Sequence, residues 1–337
     1  MMIKMSGYKN KNSQIILESL SLNEGYNAFN IENLKFDENF RVIRLDKADF
    51  NYLDKDKKKN LIKVYKNKED YIVRGDYFNA ENLIENILFG NNNRNYLKGN
   101  FKIKLDISKI FLDNEFELNN LKGIFVLNNS KIFKGNLNGD FKNDKKLKFT
   151  TNTNGEEKIT TLFLDYAKPI IKKYKFIKGF DEGSLDFFSQ KKGNISKSTL
   201  KIYDFKLKEL PVLTKILTLA SLQGIADILS GEGIRFNEFE MNFENKNNLM
   251  TIQEIYAIGP AISILMDGYV QKNDLISLRG TLVPATTINK VIGSIPILGK
   301  ILVGSKTGEG VFGVSFKIKG PPNKLETTVD PIKTLTP

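Results

Sequence analysis

The stretch Phe101-Lys102-Ile103-Lys104-Leu105-Asp106-Ile107 alternates apolar and polar side chains throughout. Successive side chains of a β-strand point to opposite faces of a sheet, so a period of two predicts a strand with one buried face. The same period recurs in residues 239–244, 262–270 and 312–319. These runs predict a mainly β protein built from half-buried antiparallel strands.

Turn-forming residues separate the alternating runs. Examples are Asn138-Gly139-Asp140 and Asn152-Thr153-Asn154-Gly155, whose residue types favour tight turns. From the spacing of runs and turns we expect roughly fifteen strands along the chain.

Four segments carry apolar residues at helical spacing and predict short helices packed on the sheet. They are residues 79–89, 166–176, 211–229 and 286–302. Asn79 is a candidate N-cap of the first helix, and Pro169 falls in the first turn of the second, where proline is tolerated. Gly231 follows the third helix as a stop signal, whereas glycine and proline residues inside the fourth weaken it.

Lysine carries most of the positive charge of this 337-residue chain, whose formal net charge is +12. Such a charge alone is compatible with binding to nucleic acid or to an anionic membrane. Base readout favours arginine, however, and arginine stands at only six positions. The lysine-rich segments 55–59 and 142–148 contain or adjoin Asp54, Asp56 and Asp144. We therefore predict a solvated surface and no nucleic-acid partner, with anionic lipid headgroups as the alternative.

The chain contains no histidine and no cysteine. Their absence excludes Ser-His-Asp and Cys-His nucleophile systems, the usual zinc sites and any disulfide framework. Catalysis by a pair of carboxylates remains open, but many acidic residues lie beside Lys or Asn on alternating runs, as on a solvated strand face. The prediction is a protein that is not an enzyme and that needs no cofactor or metal.

The segment Gly308-Glu309-Gly310-Val311-Phe312-Gly313 matches the dinucleotide-binding fingerprint in its glycine spacing. That fingerprint requires a preceding strand and a following helix, whose N-terminus receives the pyrophosphate. Here the residues that follow alternate as a strand does. We interpret the segment as a turn that leads into a β-strand.

Membrane targeting is not encoded in an obvious form. No window reaches the roughly eighteen apolar residues that a membrane-spanning helix needs, and the first nine residues lack the apolar core of a signal peptide. We expect that the chain as written does not direct itself across a membrane.

Residues 205–337 contain an ordered series of motifs rich in glycine and proline. The main ones are Leu210-Pro211-Val212-Leu213, Leu219-Ala220-Ser221-Leu222-Gln223-Gly224-Ile225-Ala226-Asp227-Ile228-Leu229-Ser230-Gly231, Ala257-Ile258-Gly259-Pro260-Ala261, Gly280-Thr281-Leu282-Val283-Pro284-Ala285, Ile295-Pro296-Ile297-Leu298-Gly299, Gly308-Glu309-Gly310-Val311-Phe312 and Val329-Asp330-Pro331. In this order they resemble the C-terminal domain of the AsmA-like family of Gram-negative envelope proteins. The resemblance divides the chain into β-groove repeats with two short helices, residues 1–204, and the AsmA-like domain, residues 205–337.

What the resemblance implies is an elongated, twisted antiparallel β-sheet curled into a U-shaped groove, with a few short helices capping one end. Family members are similar to bridge-like lipid transfer proteins, with a hydrophobic channel between two membranes. They are anchored in the inner membrane by an N-terminal helix and project into the periplasm. This sequence departs from that pattern because it lacks the anchor, so we expect either a C-terminal fragment of a periplasmic protein or a misplaced start.

An apolar trough for phospholipid acyl chains is the function that the alternation and the resemblance together predict. Its lining is expected to be Phe101, Ile103, Leu105, Phe239, Met241, Phe243, Ile262, Ile264, Met266, Ile276, Leu278, Phe312, Val314 and Phe316. An ordinary sandwich core is the alternative reading for each of these residues. The alternative function is assembly or scaffolding, in which a sheet edge binds outer-membrane protein precursors by strand addition.

Overall fold

The computed structural model of the protein describes residues 1–89, 96–173, 179–208, 211–220, 222–272, 274–284, 313–322 and 324–330. Over these residues the protein is mainly β, with nineteen strands and a few short helices. The chain divides into two compact units, Met1–Leu164 and Asp165–Pro337. The division at residues 204 and 205 that the resemblance implies stays a prediction.

Unit 1 consists of eleven strands and one helix. The strands are β1 (Met2–Lys9), β2 (Ile15–Glu24), β3 (Asn27–Phe36), β4 (Val42–Leu53), β5 (Lys59–Asn67), β6 (Asp70–Asn79), β7 (Asn100–Phe111), β8 (Glu117–Asn128), β9 (Lys131–Asp140), β10 (Lys146–Asn154) and β11 (Glu157–Leu164). Each strand pairs with the next one along the chain. All the pairs are antiparallel except β6 with β7, which is parallel.

The parallel pair corrects the prediction of a wholly antiparallel sheet. Helix α1 (Glu81–Phe89) lies in the connection between β6 and β7, and a connection of this length lets the chain return to the end from which β6 started. The sheet is therefore mixed.

Asn79 fixes the start of α1, as the sequence predicts. Its side-chain oxygen Oδ1 accepts a hydrogen bond of 3.1 Å from the backbone N–H of Glu81. Its amide nitrogen Nδ2 donates to Asp54 Oδ2 at 2.6 Å, and its backbone N–H donates to Asn60 Oδ1 at 2.8 Å. These bonds tie the helix N-terminus to the turn between β4 and β5.

The described residues of unit 2 form eight strands and three short helices. The strands are β12 (Asp181–Lys192), β13 (Ile195–Leu207), β14 (Ile234–Lys246), β15 (Leu249–Ile258), β16 (Ile262–Gln271), β17 (Leu275–Pro284), β18 (Val314–Gly320) and β19 (Glu326–Asp330). The helices are α2 (Lys168–Ile171), α3 (Pro211–Leu219) and α4 (Gln223–Ser230). Each strand pairs antiparallel with its neighbour in sequence. Strands β14, β16 and β18 confirm the predicted alternating runs.

The two ends of the unit 2 strands differ in their connections. Turns of two or a few residues join β12 to β13, β14 to β15, β16 to β17 and β18 to β19 at one end, here called the turn end. At the other end, here called the helix end, α2 precedes β12 and the pair α3–α4 connects β13 to β14. Helix α3 contacts both α4 and β19.

The predicted helix 211–229 is two helices, because the chain turns between Leu219 and Gln223. The backbone N–H of Leu222 donates to the carbonyl of Leu217 at 2.8 Å, five residues back and out of α-helical register. The break lets Leu217 on α3 and Leu229 on α4 both be fully buried. Gly231 ends α4 as predicted, at its C-cap position.

The second predicted helix is shorter than expected, since α2 covers only Lys168–Ile171, although Pro169 does occupy its first turn. The fourth, residues 286–302, lies outside the described residues. Over the part of the chain that the structure describes, none of the helices has the length and apolar content to cross a membrane.

The predicted turn at Asn138-Gly139-Asp140 is wrong, because these residues end strand β9. A Cβ atom at Gly139 would lie 2.7 Å from a methyl carbon of Leu118. Glycine at this position gives room to a large side chain on the neighbouring strand, and not the freedom to turn. Residues 308–312 of the glycine-rich motif lie outside the described residues. The strand predicted after the motif is present as β18.

Candidate functional site

A row of apolar residues crosses all eight strands of unit 2. Paired residues of neighbouring antiparallel strands point to the same side of a sheet, so the register defines which residues share a face. The row is Phe187, Leu200, Met241, Ile255, Met266, Gly280, Phe316 and Val329. No charged or polar side chain interrupts it.

Further apolar rows lie on the same side of unit 2. The next row towards the helix end is Leu185, Ile202, Phe239, Ala257, Ile264, Leu282 and Val314. Towards the turn end, Phe243 pairs with Ile252, and Leu278 pairs with Ile318. Together these rows make one continuous surface, the unit 2 apolar face.

The structure places every predicted lining residue of unit 2 that it describes on this apolar face. These residues are Phe239, Met241, Phe243, Ile262, Ile264, Met266, Ile276, Leu278, Val314 and Phe316. Phe312 lies outside the described residues. That these side chains contact a lipid stays a prediction.

Burial is uneven over the unit 2 apolar face. Ile262 and Leu282 at the helix end are both 0% exposed, and Ile252 and Ile318 in the row towards the turn end are also buried. Met241, Phe243 and Leu278, closer to the turn end, are only half-buried. A ligand would therefore contact the half-buried residues, whereas Ile262, Val314 and Phe316 belong to the packed core.

Glycine at position 280 lets large side chains from two neighbouring strands lie across the apolar face. A Cβ atom there would stand 2.6 Å from Met266 Cγ and 2.7 Å from Phe316 Cζ, which is closer than van der Waals contact permits. Glycine inside a strand often marks such a close approach or a bend. Gly135 in unit 1 has the same relation to the ring of Phe125.

An apolar row also crosses all eleven strands of unit 1. Its members are Met5, Leu20, Ile31, Ala48, Val64, Val73, Leu105, Gly123, Leu137, Phe149 and Leu162. At about 4.8 Å between strands, eleven strands extend about 48 Å across the sheet. That length exceeds the roughly 15 Å that an acyl chain spans in half of a bilayer core.

The three predicted lining residues of unit 1 lie on this face. Phe101 is buried against Tyr71, with 5.4 Å between the ring centroids, whereas Ile103 and Leu105 are half-buried. Sequence reasoning missed the members of the row on the other strands. The alternation of apolar and polar residues along those strands was visible in the sequence. The pairing of strands that aligns the apolar residues in one row was not.

The opposite face of unit 2 is polar and carries ion pairs. Lys201 Nζ lies 2.7 Å from Glu240 Oε2, and the hydroxyl of Tyr256 donates to the same oxygen at 2.6 Å. Burial, followed by this hydrogen bond, raises the pKa of Tyr256 well above its ordinary value. The hydrogen bond with Glu240 also raises the pKa of Lys201. The result is a sheet with one solvated ionic face and one apolar face.

Groups suited to metal binding do not converge in the residues that the structure describes. No cluster of three or more Asp or Glu side chains is arranged to hold a metal ion there. A shallow depression near Ser263, on the face opposite the apolar rows, is lined by uncharged residues only. The feature with the greatest extent is thus the apolar face of each unit.

Comparison with protein-family models, with curated proteins and with solved structures gave no match.

Proposed function

We propose that the protein binds the acyl chains of phospholipids on its apolar faces and serves intermembrane lipid transport in the bacterial envelope. The apolar rows that cross every strand of each unit carry this proposal. Each methylene moved from water onto such a surface contributes about 0.8 kcal/mol. Because the rows offer no specific polar contact, a chain slides along them at little cost, and no catalytic residue is needed.

The proposal extends to the shape of the sheet and the role of its helices. Curling of the sheet covers a half-exposed apolar face at the smallest cost in free energy. A sheet that curls in this way forms a U-shaped groove. Glycines such as Gly135 and Gly280 support this curvature, since they remove side-chain volume from the inner side. The full burial of Leu217 and Leu229 supports a role for α3 and α4 as a cap on the helix end.

The resemblance to the AsmA-like family supplies the proposed setting. In that setting the protein is a non-enzymatic component of the periplasm, linked to the inner membrane as the members of that family are, and it contributes to outer-membrane biogenesis. Its partners are phospholipids and membranes, and no nucleic acid.

Photo-crosslinking in cells tests the proposal with matched pairs of sites. A benzophenone amino acid at Phe243 or Leu278 faces the apolar side, and the adjacent sites Glu244 and Ser277 face the opposite side. We expect lipid adducts at Phe243 and Leu278 and none at Glu244 and Ser277. Absence of lipid adducts at all four sites, in protein that is folded and expressed, would refute lipid binding.

The exposed strand β1 favours a second candidate function, in assembly or scaffolding. All eight residues of β1 are exposed, although the strand pairs antiparallel with β2. A free strand edge is a template for strand addition, and outer-membrane β-proteins supply strands of that kind. A photo-probe at Met5 that captures β-barrel precursors, with no lipid captured at Phe243, would favour this function over lipid transport.

A further inference from the structure

The apolar face of unit 2 becomes polar at one corner. At the turn end of β12, β13 and β14, the register pairs Ser189 with Ser198, Lys191 with Ser196, and Ser196 with Asn245. These five residues, here called the polar corner, continue the same side of the sheet as Leu200 and Met241.

The polar corner adjoins the accessible part of the apolar face. Ser198 pairs with Phe243, and Asn245 pairs with Met250. Each pair places a polar residue of one strand directly beside an apolar residue of the next strand. The hydroxyl of Ser198 is buried and donates to Ser189 Oγ at 2.9 Å. That leaves the Ser189 hydroxyl hydrogen, the Ser196 hydroxyl and the Asn245 amide as donors beside an acyl-chain surface.

Positive charge at the polar corner is not neutralised by neighbours. Lys191 is exposed and forms no ion pair within the described part of the chain, and the same holds for Lys192 and Lys246 nearby. Glu244, the carboxylate of β14 closest to this corner, is on the opposite side of the sheet, as its pairing with Lys197 and Thr251 shows.

We infer that the polar corner binds the anionic headgroup, a phosphate or a carboxylate, of a lipid whose acyl chain lies on the unit 2 apolar face. This inference rests on the proposed function and specifies its substrate class, namely anionic rather than uncharged lipids. An ammonium group and hydroxyl donors complement anionic oxygens through charge-assisted hydrogen bonds, which are stronger than neutral ones.

Two lipids that differ only in the headgroup test this inference on the full chain. Dioleoyl phosphatidic acid and dioleoylglycerol, carrying the same fluorescent acyl label, are titrated with the protein. We expect roughly tenfold tighter binding of phosphatidic acid, because one charge-assisted hydrogen bond is worth about that factor. Inorganic phosphate alone is expected to bind no tighter than millimolar, since it lacks the acyl chain.

The adjacent residues Lys191 and Lys192 provide matched variants, because they lie on opposite sides of β12. Lys191→Gln is expected to remove most of the preference for phosphatidic acid and to leave binding of dioleoylglycerol unchanged. Lys192→Gln, which removes the same charge, is expected to keep the preference.

The possible outcomes separate the inference from the proposed function. Equal binding of both lipids, equal losses in the two variants, or tight binding of inorganic phosphate alone would each overturn the headgroup inference. Failure of the protein to bind either lipid would instead contradict the proposed function itself.

Discussion

Glycine at position 280 shows how a single residue controls the apolar face. Gly280→Ala forces a Cβ atom towards Met266 and Phe316, so we expect a loss of about 1–3 kcal/mol in the free energy of unfolding. Gly224→Ala in α4 is the control, since nothing lies within 4 Å of the added carbon, and helix propensity predicts a gain of up to about 1 kcal/mol. Urea unfolding measures both, and equal effects in the two variants would contradict the packing of this face.

Asp37 makes stability depend on pH. Its hydrogen bond with Arg41, at 2.8 Å between Arg41 Nε and Asp37 Oδ2, lowers the pKa of Asp37 from 3.8 to about 2. A carboxylate whose pKa is lower in the folded state stabilises the protein above its unfolded pKa, and this contribution is lost as the pH falls through the folded pKa.

The variant Asp37→Asn should therefore be less stable than the wild type above pH of about 4, and the difference should shrink as the pH falls towards about 2. Chemical unfolding between pH 6 and about 2 measures this difference. Glu38→Gln, an exposed neighbour in the same turn, is the control. A difference for Asp37→Asn that stays constant over this range would show that the ion pair with Arg41 does not hold the turn.

Shortening a leucine to alanine should have different effects on the buried and the exposed side of helix α3. Leu217 is 0% exposed and Leu219 is 49% exposed on the same helix. We expect Leu217→Ala to lower the free energy of unfolding by about 2–5 kcal/mol, and Leu219→Ala to change it by less than about 0.5 kcal/mol. Thermal and urea unfolding provide the comparison. Similar losses for both variants would mean that α3 packs differently from the arrangement described.

At the level of elements, local patterns predicted the strands and the start of α1 well. The run 101–107 alternates because one side of β7 packs inward, and Asn79 caps α1 through its own side chain. The split between α3 and α4 was not predictable, since the stripe in 211–229 is continuous in sequence. In the structure Leu217 on α3 and Leu229 on α4 are both fully buried, which one continuous helix was not predicted to need.

Across the whole molecule, the net charge of +12 comes mainly from lysine, whereas base readout favours arginine. Some lysines are also held in ion pairs, such as Lys102 and Lys104 in unit 1, which both contact Asp70, at 3.1 and 2.8 Å. We expect duplex DNA to bind no tighter than roughly 10⁻⁶ M at physiological salt, the range of non-specific binding. Fluorescence anisotropy at several salt concentrations measures this. Nanomolar affinity with a steep salt dependence would contradict the prediction.

The sequence by itself determined the strand content, the two-sided character of each strand and the absence of histidine and cysteine chemistry, because alternation and composition are local properties. Only the tertiary structure decided which residues meet across strands. Register depends on turn geometry and on pairing between distant segments, and a slip of one residue would move Met241 or Leu105 to the other side of the sheet. The parallel pairing of β6 with β7, the mixture of buried and half-buried residues on the unit 2 apolar face and the polar corner beside Phe243 follow from those long-range contacts.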